Sequence, residues 1–119
     1  MNYKRGEVVL LPFPFITTGG AKQKARPALI ISDHSIPRRF HDLILVGITS
    51  QRIDDTIDTE FLIDEDAEYF SQTGLMRSSV VRCEYLMTVP QELPARKLGE
   101  LPGNVMKLVD KKIKISLGL

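Results

Sequence analysis

The stretch Val80-Val81-Arg82-Cys83-Glu84 places two opposite charges inside a run that is otherwise typical of a buried strand. Because side chains alternate across a strand, we expect Arg82 and Glu84 to share one face, while Cys83 and Tyr85 share the other. The two charged positions are about 7 Å apart along a strand. That spacing lets two long side chains converge on a third group, such as a phosphodiester. The alternative is an ordinary ion pair on a solvent-facing strand, which contributes about 0 to 1 kcal/mol.

Composition limits the classes of function that this stretch can serve. The chain has 119 residues, which predicts a single domain over residues 1–119. Sixteen Lys and Arg against 15 Asp and Glu give a net charge of +1, so any nucleic-acid site must be a local patch. Cys83 is the single cysteine and is interpreted as a small buried hydrophobe. The N-terminal apolar run is too short for a signal peptide or a spanning helix, which predicts a cytoplasmic protein without a membrane partner.

The order of apolar runs and breakers predicts a chain that is mostly β until its last twenty residues. Strands are predicted over 7–11, 28–32 and 43–48, a further strand or two within 53–63, one from 80 onward and a last short one over 96–101. Residues 43–48 are almost entirely apolar, which is typical of a central strand covered on both faces. Residues 17–24 are small, polar and basic and are predicted to form a flexible loop that could close over a ligand.

The C-terminal segment has a different periodicity. After Pro102, the residues Val105, Leu108, Val109 and Ile113 recur at three- and four-residue spacing, which predicts an amphipathic helix. One helix packed against five to seven short strands predicts a small barrel or a strongly bent sheet that the helix caps at its end.

Candidate site residues were found by exclusion. The sequence has no glycine-rich phosphate loop and no Cys or His pair at metal-ligand spacing. The acidic positions within 54–58 are interpreted as a solvated loop, and His34 and His41 lie in a predicted loop without a partner at defined spacing. What remains is a set of arginines, hydroxyls and one carboxylate: Arg26, Thr49, Ser50, Arg82 and Glu84, with local basic charge from Lys22, Lys24, Arg38 and Arg39.

Five blocks in order along the chain resemble the MazF/PemK family of toxin endoribonucleases, the mRNA interferases of bacterial toxin-antitoxin systems. These blocks are KRGEVVL at 4–10, ARPALII at 25–31, VGITS at 46–50, SVVRCE at 79–84 with Thr88-Val89, and KLGEL at 97–101 with Val109-Asp110 and ISLGL at 115–119. They span nearly the whole chain, so the resemblance is specific although each block alone is not.

The resemblance implies a mainly β fold with a C-terminal helix, namely the SH3-like small barrel of the MazF/PemK/CcdB type. It implies a homodimer whose groove binds single-stranded RNA, and an antitoxin protein as partner. It also implies cleavage without a metal or other cofactor, in which the ribose 2′-OH attacks the adjacent phosphate and leaves a 2′,3′-cyclic phosphate.

The resemblance also implies roles for the residues that match its motifs. Glu84 would be the base that accepts the 2′-OH proton, and Arg82 would supply positive charge, or a proton, at the leaving 5′ oxygen. Arg26 would bind the phosphate oxygens as charge grows on them, and the Thr49 and Ser50 hydroxyls would donate hydrogen bonds to the same phosphate. Outside these motifs, the local basic charge of Lys22, Lys24 and Arg38 predicts that they bind substrate.

Two features depart from the pattern of the family. Glu84 stands where many relatives carry Asp, and the first loop lacks the His and Glu that some members have. A second hypothesis therefore stays open, because relatives with the same barrel bind DNA gyrase instead of cutting RNA, which would make this chain a non-catalytic protein-binding toxin or an inactive regulator.

Overall fold

A single antiparallel sheet forms most of the fold. The structure is a computed structural model that describes residues 2–17 and 20–119, and the side chains of residues 2–12 and 25–119. The elements in chain order are β1 (Glu7–Thr17), β2 (Gly20–Ile30), β3 (Asp42–Thr49), β4 (Glu60–Ile63), α1 (Phe70–Thr73), β5 (Ser79–Pro90), β6 (Arg96–Glu100) and α2 (Gly103–Leu117). The strand order is β4-β5-β3-β2-β1-β6, and neighbouring strands are antiparallel.

Strand β3 is the central strand that the apolar run over 43–48 predicted. It lies between β2 and β5, and its side chains alternate between two cores. Leu43 and Leu45 pack in one buried cluster with the N-terminal Tyr3, whereas Val46 and Ile48 pack in the other. The sheet is therefore covered on both faces at its centre, which explains why this strand has no polar face.

The C-terminal helix is confirmed, and it covers one face of the sheet. Helix α2 buries Val105, Met106, Val109 and Ile113 in the same cluster as Val46 and Ile48. Gly118 ends the helix with φ 74°, and its N–H donates to the carbonyls of the last turn. The fold is thus mainly β, a curled six-stranded sheet with a C-terminal helix. None of the helices in the described part of the chain is long and apolar enough to cross a membrane.

The first hairpin is longer than the sequence predicts. Strands β1 and β2 pair as far as Thr17 and Gly20, so the loop predicted over 17–24 is wrong for residues 20–24, while Thr18 and Gly19 lie outside the described residues. The small polar residues over 17–24 resemble a loop in sequence, and only the pairing with β1 reveals the strand. Pro12 fits in β1 because β6 pairs β1 only as far as Leu10, so Pro12 lies where β1 has an unpaired edge.

A short helix that the sequence did not reveal packs against the edge strand β6. Helix α1 ends at Gly74, which has φ 75°. A Cβ at Gly74 would lie 2.0 Å from the Leu98 carbonyl oxygen, and one at Gly99 would lie 2.2 Å from the Gln72 carbonyl oxygen. Only glycine permits this approach of two backbones, which fixes the segment after α1 beside β6.

Strand β5 contains a bulge that breaks the predicted alternation. Consecutive residues Val46 and Gly47 of β3 pair with Leu86 and Arg82, so residues 83–85 are extra on β5. Cys83 is buried as expected, but Tyr85 is 51% exposed and lies on the side of Arg82, with 5.8 Å between the guanidinium carbon and the ring centroid. The prediction that Tyr85 shares the face of Cys83 is therefore wrong, because tertiary pairing inserts the bulge.

Candidate functional site

An open pocket of about 170 Å³ lies where β2, β3 and β5 run side by side. Ala28, Gly47 and Arg82 occupy one row across these strands. Continuing the antiparallel register by two residues brings Arg26 opposite Thr49. The pocket is lined by Arg26, Pro27, Gly47, Ile48, Thr49, Gln51, Arg82 and Tyr85. The sheet register thus assembles two arginines and a hydroxyl from three separate blocks of sequence.

The guanidinium of Arg82 is fixed by two acceptors. Its Nε donates to Glu60 Oε2 at 3.0 Å and its Nη2 donates to the Gln51 carbonyl oxygen at 3.3 Å. Glu60 lies opposite Arg82 on β4, and the two side chains are 13% and 19% exposed. Glu60 also accepts from the backbone N–H of Ile57. The pair orients Arg82 toward the pocket and compensates most of its charge.

The hydroxyl of Thr49 is oriented by the turn that follows β3. Thr49 Oγ1 accepts from the Gln51 N–H at 3.2 Å. Its hydroxyl hydrogen has no acceptor among the described residues, since the structure assigns Thr49 no other bond. A hydroxyl that already accepts one bond and has its hydrogen unused is suited to donate to an anion in the pocket.

A second cavity of about 500 Å³ continues the pocket toward α1 and β6. It shares Arg26, Pro27, Ile48 and Thr49 with the first pocket. It adds four polar or charged side chains, namely Ser50, Arg77, Ser79 and Arg96. We call the two cavities together the arginine cleft, because Arg26, Arg77, Arg82 and Arg96 line it and no Asp or Glu of the described residues does so. A chain of net charge +1 thus concentrates positive charge in one place.

The structure brings some of the predicted site residues together and separates others. Arg26, Thr49, Ser50 and Arg82 all line the arginine cleft. Glu84 does not line it; this exposed carboxylate lies in the β5 bulge and accepts a hydrogen bond from Thr59 Oγ1 at 2.6 Å.

The remaining predicted binding residues are not part of the described cleft. Arg38 lies beyond the opposite end of β3, where its Nη2 contacts Asp42 Oδ1 at 2.6 Å. It lines another cavity, which also contains both histidines. The side chains of Lys22 and Lys24 lie outside the described residues.

Sequence reasoning missed three charged residues of this region: Glu60, Arg77 and Arg96. Glu60 lay inside a segment that was interpreted only as an edge strand, and its partner became evident once the register placed it opposite Arg82. Arg77 and Arg96 are far apart in sequence, and the contact between Gly74 and Leu98 brings their segments together. The only local signal was that each arginine lies three residues from a glycine, Gly74 or Gly99. This spacing does not indicate that the two arginines lie in the same cleft.

Cys83 confirms the interpretation of a buried hydrophobe. It is 0% exposed, and burial raises the pKa of its thiol to about 11. Its thiolate is therefore almost absent at neutral pH, which argues against a nucleophile. The described part of the chain contains no group of three His, Cys, Asp or Glu side chains arranged to hold a metal ion.

The curled sheet with its helix and the arginine cleft define a small, mainly β protein with a site for an anionic ligand. The family model for PemK-like, MazF-like toxins of type II toxin-antitoxin systems matches residues 4–117. The chain therefore belongs to this toxin family, as the resemblance implied. No curated protein sequence gives a significant match.

Solved structures support the same fold. An endoribonuclease in complex with its cognate antitoxin, from a mycobacterial species, has 23% identity and a TM-score of 0.73, with 99% of this chain and 97% of that chain covered. The Mycobacterium tuberculosis toxin MazF-mt6 has 21% identity and a TM-score of 0.70, with 95% and 97% covered. MazF from Deinococcus radiodurans has 20% identity and a TM-score of 0.71, with 100% and 99% covered.

Proposed function

We propose that this protein is an endoribonuclease that cleaves single-stranded RNA and acts as the toxin of a toxin-antitoxin pair. The observation that carries the proposal is the convergence of Arg26, Arg82 and Thr49 in a cleft that no described carboxylate lines. Such a cleft binds phosphate and stabilises the charge that grows on it during phosphoryl transfer. Membership of the toxin family and the fold shared with an endoribonuclease support the same conclusion.

The proposed reaction needs no group beyond the protein side chains, water and the RNA. The 2′-OH loses its proton to a base and its oxygen forms a bond to the adjacent phosphorus. The bond from phosphorus to the 5′ oxygen breaks, and this oxygen takes up a proton from Arg82 or from water, so the products are a 2′,3′-cyclic phosphate and a 5′-hydroxyl. Arg26 binds the non-bridging oxygens, and the Thr49 and Ser50 hydroxyls donate to the same phosphate. Arg82 offers its remaining N–H groups to the leaving 5′ oxygen, because Glu60 and Gln51 occupy only part of its guanidinium. The requirement for a 2′-OH restricts the reaction to RNA.

Glu84 is the proposed base for the 2′-OH proton. Its carboxylate is bonded to Thr59 and lies outside the cleft lining, so this role requires the side chain to turn away from Thr59 when RNA binds. The exposed position in the bulge beside Tyr85 leaves room for this rotation. If the rotation is needed, Thr59→Val will not lower the cleavage rate, whereas Glu84→Gln will lower it about 10²- to 10⁴-fold.

The cleft also suggests how the toxin is inhibited. We infer that an acidic segment of the antitoxin lies across the arginine cleft and excludes RNA, with the toxin acting as a homodimer. Support comes from the four arginines that line the cleft and from a structural neighbour that is a complex with its cognate antitoxin. Light scattering at micromolar concentration tests the dimer, and a monomer there would contradict it.

The deciding experiment incubates the purified protein with a long unstructured RNA in excess EDTA and maps the ends of the fragments. We expect discrete cuts with cyclic-phosphate ends. Arg26→Ala and Arg82→Ala are each expected to lower the rate about 10²- to 10³-fold, because each removes a donor to the developing charge. Lys107→Ala is the charge-matched control, since Lys107 is exposed on α2 and does not line the cleft.

Intact RNA in the presence of folded, dimeric protein would overturn the nuclease proposal. It would favour the non-catalytic, protein-binding toxin, and inhibition of DNA gyrase would be the next assay. Cleavage that survives in Arg26→Ala would instead remove the arginine cleft from the mechanism.

A further inference from the structure

The part of the arginine cleft that lies between α1 and β6 has no role in the chemistry described above. It is lined by Met76, Arg77 and Arg96, and Ser50 connects it to Thr49. We propose that this groove binds a nucleotide of the RNA next to the cleaved one, with Arg77 and Arg96 on its phosphate and Met76 against its base. This inference rests on the proposed function and assigns a second binding subsite to it.

The charges of the groove are available for an anion. Arg77 and Arg96 are exposed, and neither side chain forms a hydrogen bond or an ion pair with any described residue. Four other arginines of the chain are held by a carboxylate: Arg5 by Asp110, Arg38 by Asp42, Arg52 by Asp55 and Arg82 by Glu60. Half of the eight arginines are thus neutralised by a carboxylate, whereas Arg77 and Arg96 lie together in one groove, where a phosphate can pair with both.

The groove is also preorganised. The close approach of Gly74 to the Leu98 carbonyl and of Gly99 to the Gln72 carbonyl fixes the α1 turn on β6. Thr73 strengthens the turn, because its hydroxyl donates to the Phe70 carbonyl at 2.7 Å and accepts from the Leu75 N–H at 3.1 Å. The backbones that carry Arg77 and Arg96 are therefore held in place before a ligand arrives, which lowers the entropic cost of binding.

The groove continues the path of a strand whose phosphate is bound at Arg26. Arg26 and Thr49 line both cavities, so the reaction site and the groove of Arg77 and Arg96 adjoin at these two residues. Proteins that bind single-stranded nucleic acid track the backbone with such a cationic groove and place bases on neighbouring side chains. Met76 is 91% exposed, and its thioether can contact a base ring of any identity. The groove therefore contributes affinity and not base selectivity.

The test compares the double variant R77A/R96A with the charge-matched control K107A/K111A, whose lysines are exposed on α2 and do not line the cleft. Binding of a fluorescein-labelled 12-nucleotide RNA is measured by anisotropy across a salt series, and cleavage of the unlabelled RNA is measured in parallel. We expect R77A/R96A to bind about tenfold or more weakly at low salt. The slope of log K against log salt should decrease by about 0.7, because the contact to one phosphate of a single strand is lost.

The cleavage data separate this subsite from the reaction site. R77A/R96A should raise KM and leave kcat within about twofold, since the groove binds ground state and transition state equally. Met76→Ala should weaken binding about two- to fivefold with an unchanged salt slope. RNAs shortened from either end should lose the difference between wild type and R77A/R96A once the flanking nucleotide is absent, which identifies the side on which it lies.

Each outcome decides one of the two proposals. Equal salt slopes for R77A/R96A and K107A/K111A would overturn the subsite, whatever the cleavage result. Cleavage by wild-type protein with an unchanged KM in R77A/R96A would also overturn it and leave the nuclease intact. Binding that depends on Arg77 and Arg96 without any cleavage by the wild type would support the subsite and overturn the nuclease.

Discussion

The two ends of strand β3 both have arginines nearby, but the Thr49 end gathers them in one cleft, where Arg77 and Arg96 have no carboxylate partner among the described residues. At the Asp42 end, Arg38 is paired with Asp42, and the Asp33 carboxylate accepts from the backbone and side chain of Ser35. At the Thr49 end, about 23 Å away along the strand, four arginines line a cleft that no described carboxylate lines. The number of arginines therefore says little about where an anion binds; what matters is which of them a carboxylate already holds.

The largest effect is expected from substitutions that separate α1 from β6, because their contact forms one wall of the arginine cleft. Gly74→Ala and Gly99→Ala would each place a Cβ about 2 Å from a backbone carbonyl oxygen. We expect each to lower the free energy of unfolding by about 3 kcal/mol or more, because backbone cannot move aside as a side chain can. Urea unfolding followed by circular dichroism measures the loss.

Substitutions at two other glycines distinguish backbone strain from steric overlap as the cause of the lower stability. Gly118→Ala adds the strain of a positive φ with no atom within 4 Å, and Gly103→Ala adds neither strain nor contact. The first should cost about 1 to 2 kcal/mol and the second should be neutral or slightly stabilising. A Gly99→Ala protein as stable as Gly103→Ala would show that the cleft wall does not need this contact.

The second largest effect is expected from the titration of the Cys83 thiol, which makes stability depend on pH. Cys83 lies on the buried side of β5 behind Arg82, and burial raises its pKa from 9.0 to about 11. The unfolded chain releases the thiol proton at lower pH than the folded chain, so stability is complete below pH 9 and decreases as the pH rises to 11, by about 2 to 3 kcal/mol in all. Urea midpoints of wild type and Cys83→Ala between pH 8 and 10.5 test this, and parallel pH profiles would contradict it.

Glu60→Gln tests whether pairing with a carboxylate limits RNA binding, because it removes the carboxylate partner of Arg82 inside the cleft. Loss of the carboxylate that holds Arg82 should lower the free energy of unfolding by about 1.5 to 3 kcal/mol. The same change leaves one more uncompensated charge in the cleft, so RNA binding should tighten at low salt and its salt slope should increase by about 0.7. A weaker salt dependence would mean that the charge of Arg82 does not reach the RNA.

The matched change at the other end should have the smallest effect. Asp42→Asn releases Arg38 from a half-buried pair and should cost about 1 kcal/mol or less. We expect no change in RNA affinity or salt slope, because Arg38 lies far from the cleft. Tighter RNA binding by Asp42→Asn would return Arg38 to the set of substrate-binding residues that the sequence predicted.

The sequence predicted the parts of this fold that depend on apolar periodicity. The unbroken run of β3 and the three- and four-residue spacing of α2 each indicated the correct element and the correct environment. The placement of Arg26, Thr49 and Arg82 in one cleft also followed from sequence, since their blocks together resembled one toxin family.

What the sequence did not reveal depends on pairing between distant segments. The β1–β2 hairpin extends through small polar residues that resemble a loop, and α1 is too short for a periodic signal. The alternation of side chains predicted Arg82 and Glu84 on the same face of β5. Because of the bulge after Arg82 and the register of β4, Arg82 instead pairs with Glu60, and Glu84 accepts a hydrogen bond from Thr59. Local patterns cannot encode a register shift that a neighbouring strand imposes.

The bulge at residues 83–85 has a consequence for the divergence of such toxins. Arg82 and Leu86 keep their pairing with Gly47 and Val46, so the sheet register is defined on both sides of the bulge. Insertions, deletions or exchanges within these three residues would then change Tyr85 and Glu84 beside the cleft without displacing Arg82. A lineage can thus alter which side chains lie beside the cleft at this one place while the scaffold, and the arginines it positions, are inherited unchanged.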